Sequence, residues 1–245
     1  MSKSQYKLNR AIEQLLTDKT ERGETFSLEE LAYLNQFTGY GGMAKFGAEG
    51  KGLLSEYFTP IEIVEKMIGL AYKHGYSGGA VLEPSCGIGR FLHYFAPTTK
   101  VDAFEINEVS QRIAQLNFPN FNIRHAYFNE LFIERSGKGK TFTNPYKLVI
   151  GNPPYGDFTG KYSTKERQNT KATRYEEYFI TRGLDVLQQG GLMVYIIPSS
   201  FLDGKESVIK KRIKQKADLL EAYRLPKGIF KQTDIQTDIL VWQKK

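Results

Sequence analysis

Residues 80–105 read AVLEPSCGIGRFLHYFAPTTKVDAFE, and the order of features in this stretch decides the fold class. An apolar run at 80–82 is followed by a loop that contains two glycines, and the next apolar segment predicts a short helix at 91–95. A second apolar run begins at Val101 and ends in Glu105. Strand, glycine loop, helix and strand in this order are typical of one unit of a parallel α/β sheet.

The rest of the chain continues this alternation. Further apolar runs lie at 121–123, 148–150, 192–197 and 239–242, and helical spacing separates most of them, at 108–116, 175–187 and 207–216. We therefore predict a mostly parallel sheet with helices on both faces. In such sheets ligands bind at the carboxyl ends of the strands, near the point where the strand order reverses.

The N-terminal part of the chain predicts a helical arm. Apolar spacing predicts a helix from Leu8 to Leu16, and Ser27 with Glu30 three residues later predicts a capping box at the start of a second helix, which ends near Phe37. Six glycines between positions 39 and 52 favour a flexible connector or a mobile flap over a site. A third helix is expected from Pro60 to about Tyr72. We expect the arm and connector at 1–52 and one α/β domain at 53–245.

Composition narrows the class of protein. The 245 residues are 40% hydrophobic and 25% charged, as in ordinary soluble globular proteins, and the net charge of +7 favours a polyanionic partner. One cysteine excludes an intramolecular disulfide, and three scattered histidines lack the spacing of metal ligands, so we expect no metal. The absence of a signal segment and of a membrane-spanning run in the sequence favours a cytoplasmic protein without membrane contact.

The glycine loop predicts a nucleoside-binding site. Gly87 and Gly89 allow the backbone to approach a ligand closely, but Leu92 stands where the dinucleotide fingerprint has its third glycine, and no phosphate-binding lysine follows. Glu105 is placed to accept hydrogen bonds from a ribose diol, and Glu83 can meet an ammonium group. A nucleoside with an amino-acid tail and no pyrophosphate, such as S-adenosylmethionine, fits this pattern. A tight turn at the glycines and a capping or solvated Glu83 remain the simpler alternatives.

The sequence LVIGNPPYG at 148–156 predicts a strand that ends in a rigid turn, because two adjacent prolines cannot donate to a sheet ladder. Asn152 and the carbonyl of Pro153 offer two acceptors in fixed directions, which suits the two N–H donors of an amine on an aromatic ring. Tyr155 can stack on that ring, a contact worth about 1–3 kcal/mol for a base. A plain strand-terminating turn is the alternative, and it would make the flanking Asn and Tyr accidental.

These motifs, in this order, resemble those of the gamma-class N6-adenine DNA methyltransferases over residues 56–245. The matching segments are EYFTP at 56–60, EPSCGIGRF at 83–91, Glu105, NPPY at 152–155, GGLMVYIIPSSFL at 190–202 and LPKGIFKQTDIQTDILVWQKK at 225–245. The segment TGYGGMAKF at 38–46 is also similar to the methylase portion of large proteins carried by plasmids and phages.

The resemblance implies a Rossmann-like class I methyltransferase fold with a seven-stranded, mostly parallel sheet. It implies methyl transfer from S-adenosyl-L-methionine to the N6 amine of adenine in duplex DNA, by base flipping, within restriction-modification. The residues implied in catalysis are Asn152, Pro153, Pro154 and Tyr155, and those implied in contact with the target base are Tyr155 and Phe230. The expected cofactor-binding residues are Tyr57, Thr59, Glu83, Pro84, Gly87, Gly89, Glu105, Ile106, Phe128 and Asn152.

Two departures from the family pattern stand out. The family usually carries an acidic residue after the third strand, for the adenine amine of the cofactor, whereas this chain has IRHAYFNELF at 123–132. Residues 127–129 must serve instead, with Phe128 lining the adenine ring. Gamma-class enzymes also carry a sequence-recognising domain after the last motif, and here the sequence ends at Lys245, so we expect no separate target-recognition domain.

A base that is flipped out of a duplex requires cations that hold the DNA backbone. The candidates follow the NPPY turn, in the polar stretch from Gly156 to Arg174 that predicts a long loop: Lys161, Lys165, Arg167, Lys171 and Arg174. A second basic cluster is typical of a solvated helix face: Lys210, Lys211, Arg212, Lys214 and Lys216. RNA adenine methylation, protein glutamine methylation and an inactive cofactor- or DNA-binding subunit of a larger assembly stay open, as does a specificity or helicase protein as a partner.

Overall fold

The computed structural model describes residues 2–40, 57–135, 145–158, 164–230 and 234–245. The helices in these ranges are α1 (Lys3–Glu21), α2 (Leu28–Leu34), α3 (Ile61–Lys73), α4 (Glu108–Asn117), α5 (Glu130–Arg135), α6 (Thr164–Thr170), α7 (Tyr175–Val186), α8 (Ser200–Asp203) and α9 (Val208–Lys216). The strands are β1 (Val81–Glu83), β2 (Val101–Glu105), β3 (Asn122–His125), β4 (Tyr146–Gly151), β5 (Leu187–Pro198), β6 (Ala217–Arg224) and β7 (Thr237–Lys244). None of the helices in the described ranges has the length and apolarity needed to cross a membrane.

The strands form one sheet in the order β3-β2-β1-β4-β5-β7-β6. The first five of these strands pair in parallel, whereas β7 pairs antiparallel with both β5 and β6. This confirms the predicted seven-stranded, mostly parallel sheet with flanking helices. The chain steps from β1 to β2 and β3 on one side and then returns to place β4 on the other side of β1, so the strand order reverses between β1 and β4.

Both faces of the sheet are covered, as a mostly parallel sheet requires. On one face, α3 packs through Val64, Met67 and Ala71, which are spaced three and four positions apart as a helical stripe requires. On the other face, α7 contributes Phe179 and α9 contributes Ile213 to a second apolar cluster. The central strands β4 and β5 therefore read as continuous apolar runs, because neither face meets water.

The N-terminal arm has a small core of its own. Ile12 and Leu16 of α1 are buried with Leu34 of α2, and this cluster also contains Ile113 of α4 and Ile88 of the loop after β1. The predicted capping box at the start of α2 is present, since Glu30 N–H donates to Ser27 Oγ and Ser27 N–H donates to the Glu30 carboxylate. The division into an arm at 1–52 and a domain at 53–245 stays a prediction, and its glycine-rich part at 41–52 lies outside the described residues.

The predicted helix at 91–95 is wrong. The chain makes only a 3-10 turn at Leu92–Tyr94, and Phe95 is already extended, with φ −108° and ψ 138°. The residue before Pro97 is disfavoured in the helical conformation, which opposes an α-helix at the end of this segment. The glycine loop therefore does not open a helix.

Four elements were not expected from the sequence: α5, α6, α8 and β6. The polar stretch from Gly156 to Arg174 is not one long loop, because α6 forms within it and an antiparallel bridge pairs Asp157 with Arg174. Strand β6 has no alternating pattern in its sequence, ADLLEAYR, and most of its side chains are exposed. Its ladder with β7 is what makes it a strand.

Candidate active site

A cleft opens at the switch point between β1 and β4. Its walls come from three strand ends, the loops that follow them and the segment before α3. The lining residues are Tyr57, Phe58, Thr59, Glu83, Ser85, Cys86, Gly87, Arg90, Phe91, Glu105, Ile106, Ser110, Asn152, Pro153 and Pro154. The sheet topology explains this convergence, because the carboxyl ends of neighbouring parallel strands meet at one edge.

Glu83 ends β1 and is a buried carboxyl, with 1% of its surface exposed. Among the described residues, no group donates a hydrogen bond to its Oε2 atom. Burial, together with the charge of Glu105, raises the pKa of Glu83 well above its ordinary value. The backbone beside it belongs to Gly151, whose φ of 151° is unfavourable for other residues, and a Cβ there would lie 3.5 Å from Glu83 Cγ. Glu83 is thus an acceptor that lacks a donor.

Glu105 ends β2 and is held by the backbone. Its Oε2 accepts from the Gly87 amide at 2.8 Å, and its Oε1 accepts from the Asn107 amide at 2.7 Å. Burial raises the pKa of Glu105, and these backbone donors act against that rise. Gly87 has φ 55°, so the turn that aims its amide at Glu105 favours glycine. The carboxylate is fixed in direction, and each oxygen keeps a lone pair for a ligand hydroxyl.

Asn152 follows β4 directly and is held from two sides. Its Nδ2 donates to the Tyr57 carbonyl at 3.1 Å, and its own backbone carbonyl accepts from Ser85 Oγ at 3.2 Å. The contact with Tyr57 fixes the direction of the side-chain amide, and Oδ1 is its acceptor, which in this structure accepts from the Tyr155 hydroxyl. Pro153 and Pro154 line the cleft next to it. The turn therefore presents oxygen acceptors at the end of a central strand.

Tyr155 is placed differently from the expectation. Its hydroxyl donates to Asn152 Oδ1 and lies 3.3 Å from the Ile196 carbonyl. The ring is 5% exposed and packs near Tyr57, which in turn lies near Phe230, with ring centroids 6.4 Å apart in both pairs. The structure therefore brings the two residues expected at the target base together through Tyr57. Stacking of Tyr155 on a base requires its ring to be uncovered first.

This arrangement coincides with a family match. Residues 41–245 match the family model described as N-6 DNA Methylase. The chain belongs to the N-6 DNA methylase family. The match covers the glycine loop, the NPPY turn and all seven strands, and it confirms the predicted family and its cofactor, S-adenosyl-L-methionine.

Relatives of this chain include much longer proteins. Over 227 residues the chain is 32% identical to the Defense against restriction protein B of Escherichia phage P1. The aligned region covers 91% of this chain and 9% of the phage protein. Over 217 residues the chain is 26% identical to the Type I restriction enzyme MpnII methylase subunit of Mycoplasma pneumoniae, with 77% of this chain and 40% of the subunit covered. The chain thus spans less than half of each of these two relatives.

A solved structure shares the fold. The methyltransferase subunit of a type I restriction-modification system from Streptococcus thermophilus superimposes with a TM-score of 0.61 at 18% identity. The match covers 80% of this chain and 46% of that subunit. At this identity the likeness concerns the architecture of the sheet and its helices.

The cleft fits the cofactor of the family on the observations above. Glu83 Oε2 is a buried acceptor without a donor among the described residues, as an ammonium group would require. Glu105 is fixed by two backbone amides at the end of β2, where a ribose diol is expected. Seven of the expected cofactor-binding residues line the cleft: Tyr57, Thr59, Glu83, Gly87, Glu105, Ile106 and Asn152.

Three other expected cofactor contacts lie elsewhere in the structure. Pro84 and Gly89 are buried in the loop after β1, and a Cβ at Gly89 would lie 2.8 Å from the Phe118 ring. Glycine at position 89 therefore makes room for a core side chain rather than for a ligand. Phe128 is 1% exposed, and its ring packs against Phe104 and Phe179. Because this ring is part of the core, it does not line the cleft in this structure, and its contact with the adenine stays a prediction.

The basic residues after NPPY are only partly described. Lys161 lies outside the described residues, and Lys165 and Arg167 lie on α6. Lys171 is exposed and has φ 60°, whereas Arg174 pairs with Glu176 and lies 3.6 Å from Asp157. A role for these residues at a DNA backbone stays a prediction.

The second basic cluster makes contacts within the chain. Lys214 pairs with Glu206, Lys216 pairs with Asp185, and Arg212 donates to the Thr170 carbonyl at 3.2 Å. These contacts agree with the expectation of a solvated helix face.

Sequence reasoning missed three residues of this region. Arg90 and Ser110 line the cleft, and Ser110 Oγ is buried without a partner among the described residues. Gly151 permits the backbone conformation that joins β4 to the NPPY turn. Arg90 lies in the segment EPSCGIGRF and Gly151 directly precedes NPPY, and these positions were the signal that could have identified them. Ser110 lies five positions after Glu105, and no sequence pattern marks it. Within the described ranges, no three His, Cys, Asp or Glu side chains group as metal ligands.

Proposed function

We propose that this chain carries the domain that transfers a methyl group from S-adenosylmethionine to the N6 amine of adenine in DNA. The observation that supports it most is the position of Asn152. Its side chain is fixed by the Tyr57 carbonyl at the end of β4, in the same cleft as Glu83 and Glu105. Acceptors suited to the amine of an aromatic ring would thus lie next to a cleft suited to a nucleoside.

The chain's own residues would act mainly by positioning. Asn152 Oδ1 and the Pro153 carbonyl would each accept one N–H of the adenine amine, which localises the nitrogen lone pair and directs it into the cleft. The bound cofactor supplies a methyl group on a positively charged sulfur. As the nitrogen bonds to the methyl carbon, the bond between that carbon and sulfur would break and its electron pair would stay on sulfur. One of the two amine protons would remain hydrogen-bonded to Asn152 Oδ1 or the Pro153 carbonyl until water takes it. No titrating side chain is required at the moment of transfer.

The Tyr155 hydroxyl occupies Asn152 Oδ1 in this structure. It must move away before an N–H of the amine can donate to the same oxygen with good hydrogen-bond geometry. The same movement can uncover the Tyr155 ring for a base. Tyr57 and Phe230, whose ring centroids lie 6.4 Å apart, extend this aromatic surface. An aromatic cluster beside the clamp favours a nucleobase over a peptide amide.

DNA is the proposed substrate, and the net charge of +7 agrees with a polyanion. One relative, the Type I restriction enzyme MpnII methylase subunit, is by its name one subunit of a restriction enzyme. We therefore propose a specificity protein as a further partner for this chain. Whether such a partner binds is tested by adding the proteins encoded beside this one to the assay below.

The test is transfer of labelled methyl from S-adenosylmethionine to duplex DNA, RNA and protein, offered separately to the same preparation. We expect label in DNA alone and N6-methyladenine after digestion to nucleosides. Asn152→Ala should abolish transfer. The control is Asn122→Ala, which should leave transfer intact, because Asn122 is exposed at the start of β3 and the cleft lies at the carboxyl ends of the strands. Label in RNA or protein only, or full activity of Asn152→Ala, would refute the proposal.

A further inference from the structure

Arg90 is a cation inside an otherwise acidic and neutral cleft. Among the described residues that line the cleft it is the only Lys or Arg, and it shares the cleft with Glu83 and Glu105. It follows Gly89 in the loop after β1, within the segment EPSCGIGRF at 83–91, and no role was predicted for it from the sequence.

The guanidinium group is held in place by the segment before α3. Nη1 donates to the Thr59 carbonyl at 2.8 Å, and Cζ lies 5.5 Å from the centre of the Phe58 ring. A guanidinium carries five N–H donors in a planar fork, and this contact uses one of them. The other four N–H donors are available to a ligand, and the orientation of the guanidinium group is already fixed. A planar anion such as a carboxylate binds well to donors that are oriented in this way.

No anion of the chain neutralises it at short range. Within the described parts of the chain, no carboxylate oxygen lies within 4.0 Å of Arg90, and burial lowers the pKa of Arg90 while Glu62 acts in the opposite direction. A partly desolvated charge that lacks an ion-pair partner is unfavourable in the free protein. An anionic ligand in the cleft would supply that partner.

We propose that Arg90 binds the α-carboxylate of the amino-acid portion of S-adenosylmethionine. The inference rests on the proposed function, since it takes that molecule as the occupant of the cleft. The carboxylate is the only anionic group of this ligand. It shares a carbon with the ammonium group, for which Glu83, at the end of β1, is the buried acceptor. Glu83 and Arg90 thus place a carboxyl and a guanidinium group in one cleft, as the ammonium and the carboxylate of an amino acid require.

The test compares two ligands that differ only in the carboxylate. S-adenosylmethionine and its decarboxylated form are titrated by calorimetry into the wild-type chain, Arg90→Gln and Arg90→Lys, without DNA. Arg112→Gln, an arginine on α4 outside the cleft, is the matched control. Thermal melting of each variant without ligand verifies that it is folded.

We expect Arg90→Gln to bind S-adenosylmethionine about tenfold more weakly or worse, as the loss of a charge-assisted hydrogen bond implies. Its affinity for the decarboxylated ligand should equal that of the wild type, and Arg90→Lys should fall between the two. Equal losses for both ligands would show that Arg90 only supports the loop, and would overturn the inference. Unchanged binding of S-adenosylmethionine by Arg90→Gln would show that Arg90 does not bind the carboxylate and would overturn it also. A wild-type chain that binds neither ligand would instead refute the proposed function.

Discussion

The Glu83 carboxyl has an oxygen that is buried and accepts no hydrogen bond from the described residues, and Glu105 lies near enough to disfavour a second charge. The free protein therefore holds Glu83 protonated over a wider pH range than an ordinary carboxyl. A bound ammonium favours the ionised form, so cofactor binding and loss of a proton at Glu83 are linked.

We predict that S-adenosylmethionine binding releases a proton from Glu83 and strengthens as pH rises toward the raised pKa of the free protein. Glu83→Gln should bind more weakly and release no proton from this site. Calorimetry in buffers of different ionisation enthalpy measures the release, and Glu29→Gln on the exposed side of α2 is the control. Proton release that persists in Glu83→Gln would contradict the prediction.

The same raised pKa fixes the sign of a stability effect. Because the native state keeps the proton longer than the unfolded chain does, the free protein binds more protons than its unfolded form between the two pKa values. Its free energy of unfolding therefore falls as pH rises through that window. Glu83→Gln removes this dependence.

Tyr155 has two parts with different expected roles. The hydroxyl donates to Asn152 Oδ1 in this structure, while the ring lies near Tyr57. We predict that Tyr155→Phe keeps methyl transfer to DNA within a few-fold, because the acceptor is then free for the amine. Tyr155→Ala should lose about tenfold or more with the stacking surface. Steady-state kinetics on one DNA duplex compares the two, and equal losses would show that the hydroxyl rather than the ring matters.

At the scale of elements, α6 depends on an ion pair that joins it to α7. Glu166 is 6% exposed, and its two oxygens accept from Arg182 Nε at 2.7 Å and Nη2 at 2.6 Å. The seven residues of α6 are too few to be helical alone. This buried, two-point contact is what orders the segment that carries the candidate DNA contacts.

We predict that Glu166→Ala lowers the free energy of unfolding by about 3 kcal/mol, because it removes one partner of a buried pair. Glu206→Ala, which removes the exposed partner of Lys214, should cost no more than about 1 kcal/mol. Urea unfolding of both variants measures the difference. Similar values for the two would mean that α6 is not held by Glu166.

At the scale of the whole molecule, the arm supports the cofactor loop. Ile88, which lies between Gly87 and Gly89, is buried in the cluster that Ile12 and Leu16 of α1 complete. Asn35 of the arm also exchanges hydrogen bonds with Asn117 of α4. The backbone amide that holds Glu105 therefore belongs to a loop whose apolar side is covered by the arm.

We predict that Ile12→Ala costs about 2–5 kcal/mol of stability through the cavity it leaves, and also weakens S-adenosylmethionine binding. Leu28→Ala, at a side chain that is 85% exposed, should change neither. Thermal melting and calorimetry on both variants test this at a temperature where each is folded. Lower stability with unchanged affinity would show that the arm does not support the loop.

Much of the site was predictable, for a physical reason. The carboxyl ends of parallel strands meet at one edge, so Glu83, Glu105 and Asn152 had to lie near one another once their strands were recognised. Arg90 had no such signal, because a basic residue in a loop is usually solvated and only its neighbours Thr59 and Phe58 show that it is held. The contact between Tyr155 and Asn152 also depends on a side-chain conformation that no spacing predicts.

The sequence by itself determined six strands of the sheet and the residues that end them, because apolar runs and turn residues are local properties of the chain. Only the tertiary structure decided that Phe128 belongs to the core, that 164–170 is helical and that β6 is a strand. Each of these depends on partners distant in sequence: the rings around Phe128, the Arg182 guanidinium and the ladder with β7. Such contacts exist only after the chain has folded, so no local pattern records them.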